Sequence, residues 1–151
     1  VVRLYYQDYL EDFPALASAG WGYTVECATQ AIRMVLSGVF DEHPRLQMIL
    51  GHMGETLPFL LWRIDMALSR VENAKTRSFR EIFEAHFHIT TSGNFSNPAL
   101  LCAVQEMGIV FSVDYPFVEN PAGAGWIDRI PLCAEDKAKL LNGNARRLLG
   151  L

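Results

Sequence analysis

Three absences narrow the field before any motif is read. No apolar run in the 151 residues approaches the ~20 that span a bilayer, so no membrane partner is expected. An excess of positive charge is missing too: 13 Lys and Arg stand against 17 Asp and Glu, a formal net charge of −4. Such a chain has no electrostatic reason to seek a nucleic-acid backbone. Cysteine is scarce: Cys27, Cys102 and Cys133 are isolated, with no C-x-x-C pair. An odd count argues against a disulfide framework, so the expectation is reduced, mostly buried thiols in a cytoplasmic protein. The opening Val1-Val2-Arg3-Leu4-Tyr5-Tyr6 has neither methionine nor the apolar core of a signal peptide, and a start other than the native one is expected.

What is present has a globular balance, 50% hydrophobic and 20% charged. After an aromatic, glycine-punctuated lead-in over residues 1–23, Val25, Ala28, Ile32, Val35, Leu36 and Val39 recur at helical spacing, and His43-Pro44 stops the segment. Leu46–Leu50 is a short apolar run of the kind buried on both faces of a parallel sheet. Pro58 suits the first turn of a helix running through Ala67, and residues 71–77 form a charged connector. Ser78-Phe79-Arg80-Glu81 has capping-box spacing. Phe87–Ser92 predicts a second strand, Asn97-Pro98 a helix cap with Gly108 as the stop, and Ile109–Val113 a third strand. A last helix is predicted over Ala134–Leu141, with Asn144 capping a final turn. Strands alternating with helices indicate an α/β chain with a parallel sheet. The lack of a G-x-G-x-x-G or P-loop weakens a nucleotide-binding version of that class.

In parallel α/β folds the chemistry lies beyond the carboxyl ends of the strands. Here the three strands end in Gly51-His52, Thr91-Ser92-Gly93-Asn94 and Ser112-Val113-Asp114. His52 is flanked by Gly51 and Gly54, and Glu55 is close enough to fix its tautomer or take its proton. Asp114 follows an apolar strand, where a carboxylate must be paired or bind a metal. His86 and His88 share an H-x-H pattern but sit at the start of their strand, so both are read as structural, as is His43. Arg63, in Trp62-Arg63-Ile64-Asp65, is either paired with Asp65 at the surface or an anion clamp.

His43-Pro44-Arg45-Leu46, Ile49–Glu55 with its Gly51-His52-Met53-Gly54-Glu55 core, Leu57-Pro58 and Trp62–Asp65 resemble the amidohydrolase superfamily. Phe87–Asn94, Phe111–Phe117 and Asn144–Leu148 follow in the same order. Within the superfamily they are most similar to the non-oxidative aromatic-acid decarboxylases acting on γ-resorcylate, 2,3-dihydroxybenzoate and 5-carboxyvanillate.

The resemblance implies a (β/α)₈ TIM barrel of which residues 1–151 are the C-terminal portion, strands six to eight with their helices, the N-terminal portion being absent. It implies a carboxy-lyase, inactive as the isolated piece, with one divalent ion (zinc, manganese or magnesium). Asp114 would be a metal ligand and proton donor, His52 the catalytic histidine with Glu55. Arg63 would bind the substrate carboxylate of a neighbouring subunit in a homo-oligomer, a dimer or tetramer. The ion would bind the phenolic oxygen of a hydroxylated aromatic carboxylate while an acid protonates the ring carbon and carbon dioxide leaves. A metal-dependent hydrolase or hydratase of the same superfamily, and an inactive fragment serving as an interaction domain, stand as alternatives.

Overall fold

The computed structural model describes residues 5–70 and 77–151. Three short strands, β1 (Met48–Leu50), β2 (Phe87–Thr90) and β3 (Ile109–Val110), form one parallel sheet in that order. Ile49 pairs with His88, and Thr90 with Val110. Ahead of β1 come helices α1 (Gly22–Ser37) and α2 (Val39–Glu42). Gly38, at φ 89°, breaks between them, and His43 before Pro44 leaves the helical region as the sequence requires. The crossover from β1 to β2 carries α3 (Leu57–Leu68) and α4 (Phe79–His86), and that from β2 to β3 carries α5 (Asn97–Glu106). After β3 follow α6 (Asn120–Ile127), α7 (Ala134–Ala138), a π-helical turn (Lys139–Gly143) and α8 (Asn144–Leu149).

The helices pack one face of the sheet into two apolar clusters. Val35, Phe40, Leu61 and Phe83 gather around Phe87; Leu100, Trp126 and Leu140 gather around Ile89 and Ile109. Leu50 touches both clusters and joins them. Strand alternation puts Ile49, His88, Thr90 and Val110 on the opposite face. Ile49 is 57% exposed, so β1 is not buried on both faces as its apolar run suggests.

Several local expectations are corrected. The strands are shorter than their apolar runs, because beyond Thr90 and Val110 side chains join the backbone in the pairing. Thr91 Oγ1 donates to the Ser112 carbonyl and accepts from the Ser112 N–H, while Ser92 N–H donates to Ser112 Oγ at 3.0 Å. Ser96, not Asn97, caps α5, accepting from the Ala99 N–H; Asn97 instead holds the Trp126 indole at 2.9 Å. α5 ends in extended backbone at Met107, so Gly108 is not its left-handed stop. Asn144 is the first residue of α8 rather than its cap, and its amide reaches the Ile109 carbonyl at 2.8 Å. The last helix is broken by the π-turn, and α6 was not predicted. The Ser78–Glu81 capping box is present with both of its hydrogen bonds. Residues 71–76 of the charged connector lie outside the described residues.

The cysteine expectation also changes. Cys27 and Cys133 are exposed and only Cys102 is partly covered. Cys27 shares the helical stripe of buried Ala31 and Val35, but lies a turn nearer the start of α1, where that stripe is uncovered. No helix among the described residues is long and apolar enough to cross a membrane.

Candidate active site at the carboxyl ends of the strands

The chain leaves β1 in an unusual conformation. His52, Met53, Gly54, Glu55 and Thr56 have φ of 49°, 58°, 77°, 51° and 66°, a complete turn in the left-handed sense. For L-residues other than glycine this costs roughly 1–2 kcal/mol each, so the surroundings must impose it. Gly54 is the residue the turn cannot replace: a Cβ there would stand 2.9 Å from Pro58 Cδ and 3.0 Å from Ile89 Cγ2. Among the described residues, the remaining non-glycine residues with positive φ are Ser92 (39°) and Asp114 (74°), after β2 and β3. All six therefore lie at the same rim of the sheet.

The turn brings Glu55 back beneath His52. The His52 Nδ1–H donates to Glu55 Oε1 at 2.6 Å, and the other ring nitrogen, Nε2, faces Asp114 Oδ2 at 3.8 Å. Glu55 is 2% exposed, and its second oxygen is buried without a hydrogen-bond partner among the described residues. A buried carboxylate with one partner is costly, and the imidazole is what offsets that cost. By accepting from Nδ1, Glu55 fixes the tautomer and aims Nε2 outward. Asn94 Nδ2, after β2, reaches the His52 carbonyl at 3.4 Å. Gly93, at φ 74°, lets the backbone pass 3.2 Å from Asp114 Cβ, measured from where its own Cβ would be. The Thr91–Ser112 clasp ties the ends of β2 and β3 together just before Asp114. All three strand ends thus meet, and His52, Glu55 and Asp114 form one row. Asp114 is one-third exposed, so it faces open space and is not a buried ion pair.

Arg63 is not part of that row. It is exposed on α3, and the surface pairing with Asp65 is not made: Asp65 Oδ1 accepts the Arg80 backbone N–H at 3.1 Å instead. Its neighbours on the helix surface, Phe59 and Trp62, are 80% and 69% exposed. The H-x-H pattern is not a strand pair, because His86 ends α4. His86 Nδ1–H donates to the Leu46 carbonyl at 2.9 Å and the ring stacks on Phe40; His88 Nε2–H donates to Gln47 Oε1 at 2.9 Å. Burial, then the Arg147 charge, lowers the His88 pKa from its ordinary 6.5. A cavity of about 560 Å³ lies at the amino ends of the strands, lined by Gln47, His88, Gly108, Val110 and Arg147, opposite the row. Burial raises the Cys27 thiol, with the negative charges of Glu55 and Glu26 adding to it.

Among the described residues no group of three or more His, Cys, Asp or Glu side chains is placed to hold a metal ion. Catalytic ions usually take about three protein ligands. His52 and Asp114 offer two at most, so the residues described here do not make a metal centre by themselves. Sequence reasoning placed His52, Glu55 and Asp114 and the convergence of their strand ends. It missed the left-handed turn, whose only sequence signal is Gly54, and the link from Asn94 to His52.

Comparison with known proteins identifies the family and the fold. The chain is 42% identical over 145 residues to a γ-resorcylate decarboxylase of Rhizobium sp. (strain MTP-10005), covering 91% of this chain and 44% of that one. It superimposes on the crystal structure of 2,6-dihydroxybenzoate decarboxylase from Rhizobium with a TM-score of 0.86 and 40% identity, over 95% of this chain and 47% of that one. A dihydroxybenzoic acid decarboxylase from Polaromonas sp. JS666, solved with manganese and the inhibitor 2-nitroresorcinol, gives 0.83 and 35%, over 96% and 47%. The chain therefore spans less than half the length of these relatives, and its fold is part of an amidohydrolase-type (β/α)₈ barrel. The Amidohydrolase family model matches residues 11–151, and the chain belongs to that family.

Proposed function

We propose that this chain is the C-terminal portion of a barrel that removes carbon dioxide from a hydroxylated aromatic acid without oxidation. The observation that carries the reading is the row Glu55–His52–Asp114, set after β1 and β3 on either side of β2, with all three residues held in left-handed backbone. Asp114, in its acid form, delivers a proton to the ring carbon bearing the carboxylate. The bond from that carbon to the carboxylate then breaks, its electron pair returns to the ring, and carbon dioxide leaves. His52, taking up a proton from solvent at Nε2, passes it on to Asp114, and Glu55 holds the imidazole in position for it. A divalent ion, zinc, manganese or magnesium, belongs to the proposal, with Asp114 among its ligands and the others supplied by the rest of the barrel. Manganese in the Polaromonas relative supports that part.

Arg63 is assigned to the substrate carboxylate of a neighbouring subunit, in a homo-oligomer. The support is an exposed arginine on the same helix as the exposed Phe59 and Trp62, a combination enriched at protein interfaces. A cytoplasmic location rests on the exposed thiols of Cys27 and Cys133.

The test is a turnover panel on the longer protein that contains this chain, with added divalent metal. Carbon dioxide release from 2,6-dihydroxybenzoate or a related acid, lost in Asp114→Asn, supports decarboxylation. Ester, lactone or hydration turnover without carbon dioxide release sinks it in favour of the water-activating chemistry of the same superfamily.

A further inference from the structure

Just below the catalytic row the inner face of the sheet changes character. Ile49 and Val110 are succeeded there by Gly51 and Ser112, and His88 by Thr90 and Ser92. Bulky branched side chains dominate the interior layers of such barrels. These strands contribute three small hydroxyls and a glycine instead. A Cβ on Gly51 would stand 3.1 Å from Ser92 Oγ, so β1 is bare beside them.

The three hydroxyls form a line. Thr90 Oγ1 lies 2.7 Å from Ser92 Oγ, and Ser92 Oγ lies 3.2 Å from Ser112 Oγ. Three O–H groups thus serve two links, and one proton is left over at one end of the line. On Thr90 it would sit on a residue 8% exposed, with no further acceptor among the described residues. A buried hydrogen bond left unmade is costly, so burial sets the direction. Thr90 donates to Ser92, Ser92 donates to Ser112, and the spare proton emerges on the half-buried Ser112. Ser112 itself is fixed from every side. Its Oγ also accepts the Ser92 N–H at 3.0 Å, and Thr91 Oγ1 engages both its N–H and its carbonyl.

Asp114 stands two residues further on, roughly 6–7 Å away by the rise of a strand. Two short side chains so far apart do not meet directly, and one water spans such a gap. The Asp114 side chain is one-third exposed and makes no hydrogen bond among the described residues, His52 Nε2 standing at 3.8 Å. A small polar site with a fixed donor below and a free carboxylate above supplies what an internal water needs.

We propose that Ser112 is a positioning residue for Asp114, its spare O–H reaching the carboxyl group through one ordered water in this hydroxyl-lined layer. The water holds one carboxyl oxygen and leaves the other directed at the ring carbon. The effect on turnover rests on the decarboxylase reading above; the water does not.

A crystal structure of the longer protein with its divalent ion tests the water. It is expected within about 3.2 Å of both Ser112 Oγ and an Asp114 carboxyl oxygen, and is expected to be lost in Ser112→Ala. A side chain from elsewhere in the barrel bonded to Ser112 Oγ in its place, or no ordered water there, overturns the proposal. In turnover Ser112→Ala is expected to lower kcat about tenfold with KM little changed, and Ser112→Thr, which keeps the hydroxyl, to recover most of it. Unchanged turnover in Ser112→Ala overturns the positioning role. So does a Ser112→Thr variant as slow as Ser112→Ala, the pattern of a residue that matters only for packing. The water in place with no carbon dioxide released from any acid supports the site and counts against the decarboxylase reading alone.

Discussion

Glu55 is the residue on which the rim turns. Replacing it with Gln keeps the volume but removes the acceptor charge under His52 Nδ1. On the decarboxylase proposal, Glu55→Gln in the longer protein is expected to lower kcat by about 10²–10⁴ with KM little changed, because proton transfer suffers and binding does not; steady-state kinetics decide it. The same substitution is expected to speed alkylation of Cys27 near pH 8, since Glu55 is one of the charges that disfavours its thiolate. An unchanged alkylation rate would mean the two groups are not electrostatically coupled. His88 gives a pH signature at the other end of the strand. Its pKa is lowered by the fold, so the unfolded chain binds the proton more readily below about pH 6.5. Stability is therefore expected to fall as pH drops from 6.5 through the lower folded value. His88→Gln flattens that part of the curve in denaturant melts at pH 7.5 and 5.5.

Among the elements, the turn from His52 to Thr56 and helix α4 show opposite degrees of legibility. Ser78 and Glu81 announce their capping box in the sequence because a cap is local chemistry, and Ser78→Ala should cost about 1 kcal/mol in a thermal melt. Pro58, too, marked its helix start correctly. The left-handed turn was not legible: His52, Met53, Glu55 and Thr56 have no intrinsic preference for it, and packing of Pro58 and Ile89 around Gly54 dictates it. Gly54→Ala meets both the wrong backbone sense and those two neighbours. A loss of roughly 1–3 kcal/mol is expected, with a larger fractional loss of activity than Ser78→Ala causes. Strand length was overestimated for a related reason: Thr91 and Ser112 pair through a hydroxyl, which an apolar run such as Ile109–Val113 does not announce. Asn144 looks like a helix cap until the π-turn shows it facing a strand.

At the scale of the whole molecule, the parallel sheet and the site at its carboxyl rim followed from element order. The exposed face of α3 did not, since an apolar helix gives no sign of which side stays uncovered. Phe59 and Trp62 should drive association of the longer protein, and Trp62→Ala is expected to weaken it about tenfold or more in sedimentation equilibrium. The sheet is also unequal at its two ends. At the carboxyl rim six non-glycine residues hold unfavourable backbone angles, whereas the amino ends are fastened by Asn144, Gln47 and the His86–Leu46 bond. Such a molecule has a direction in which it comes apart. Loss of packing around Gly54 and Ile89 should release the carboxyl rim before the amino ends, so that readiness to unfold and capacity for chemistry reside in the same few residues.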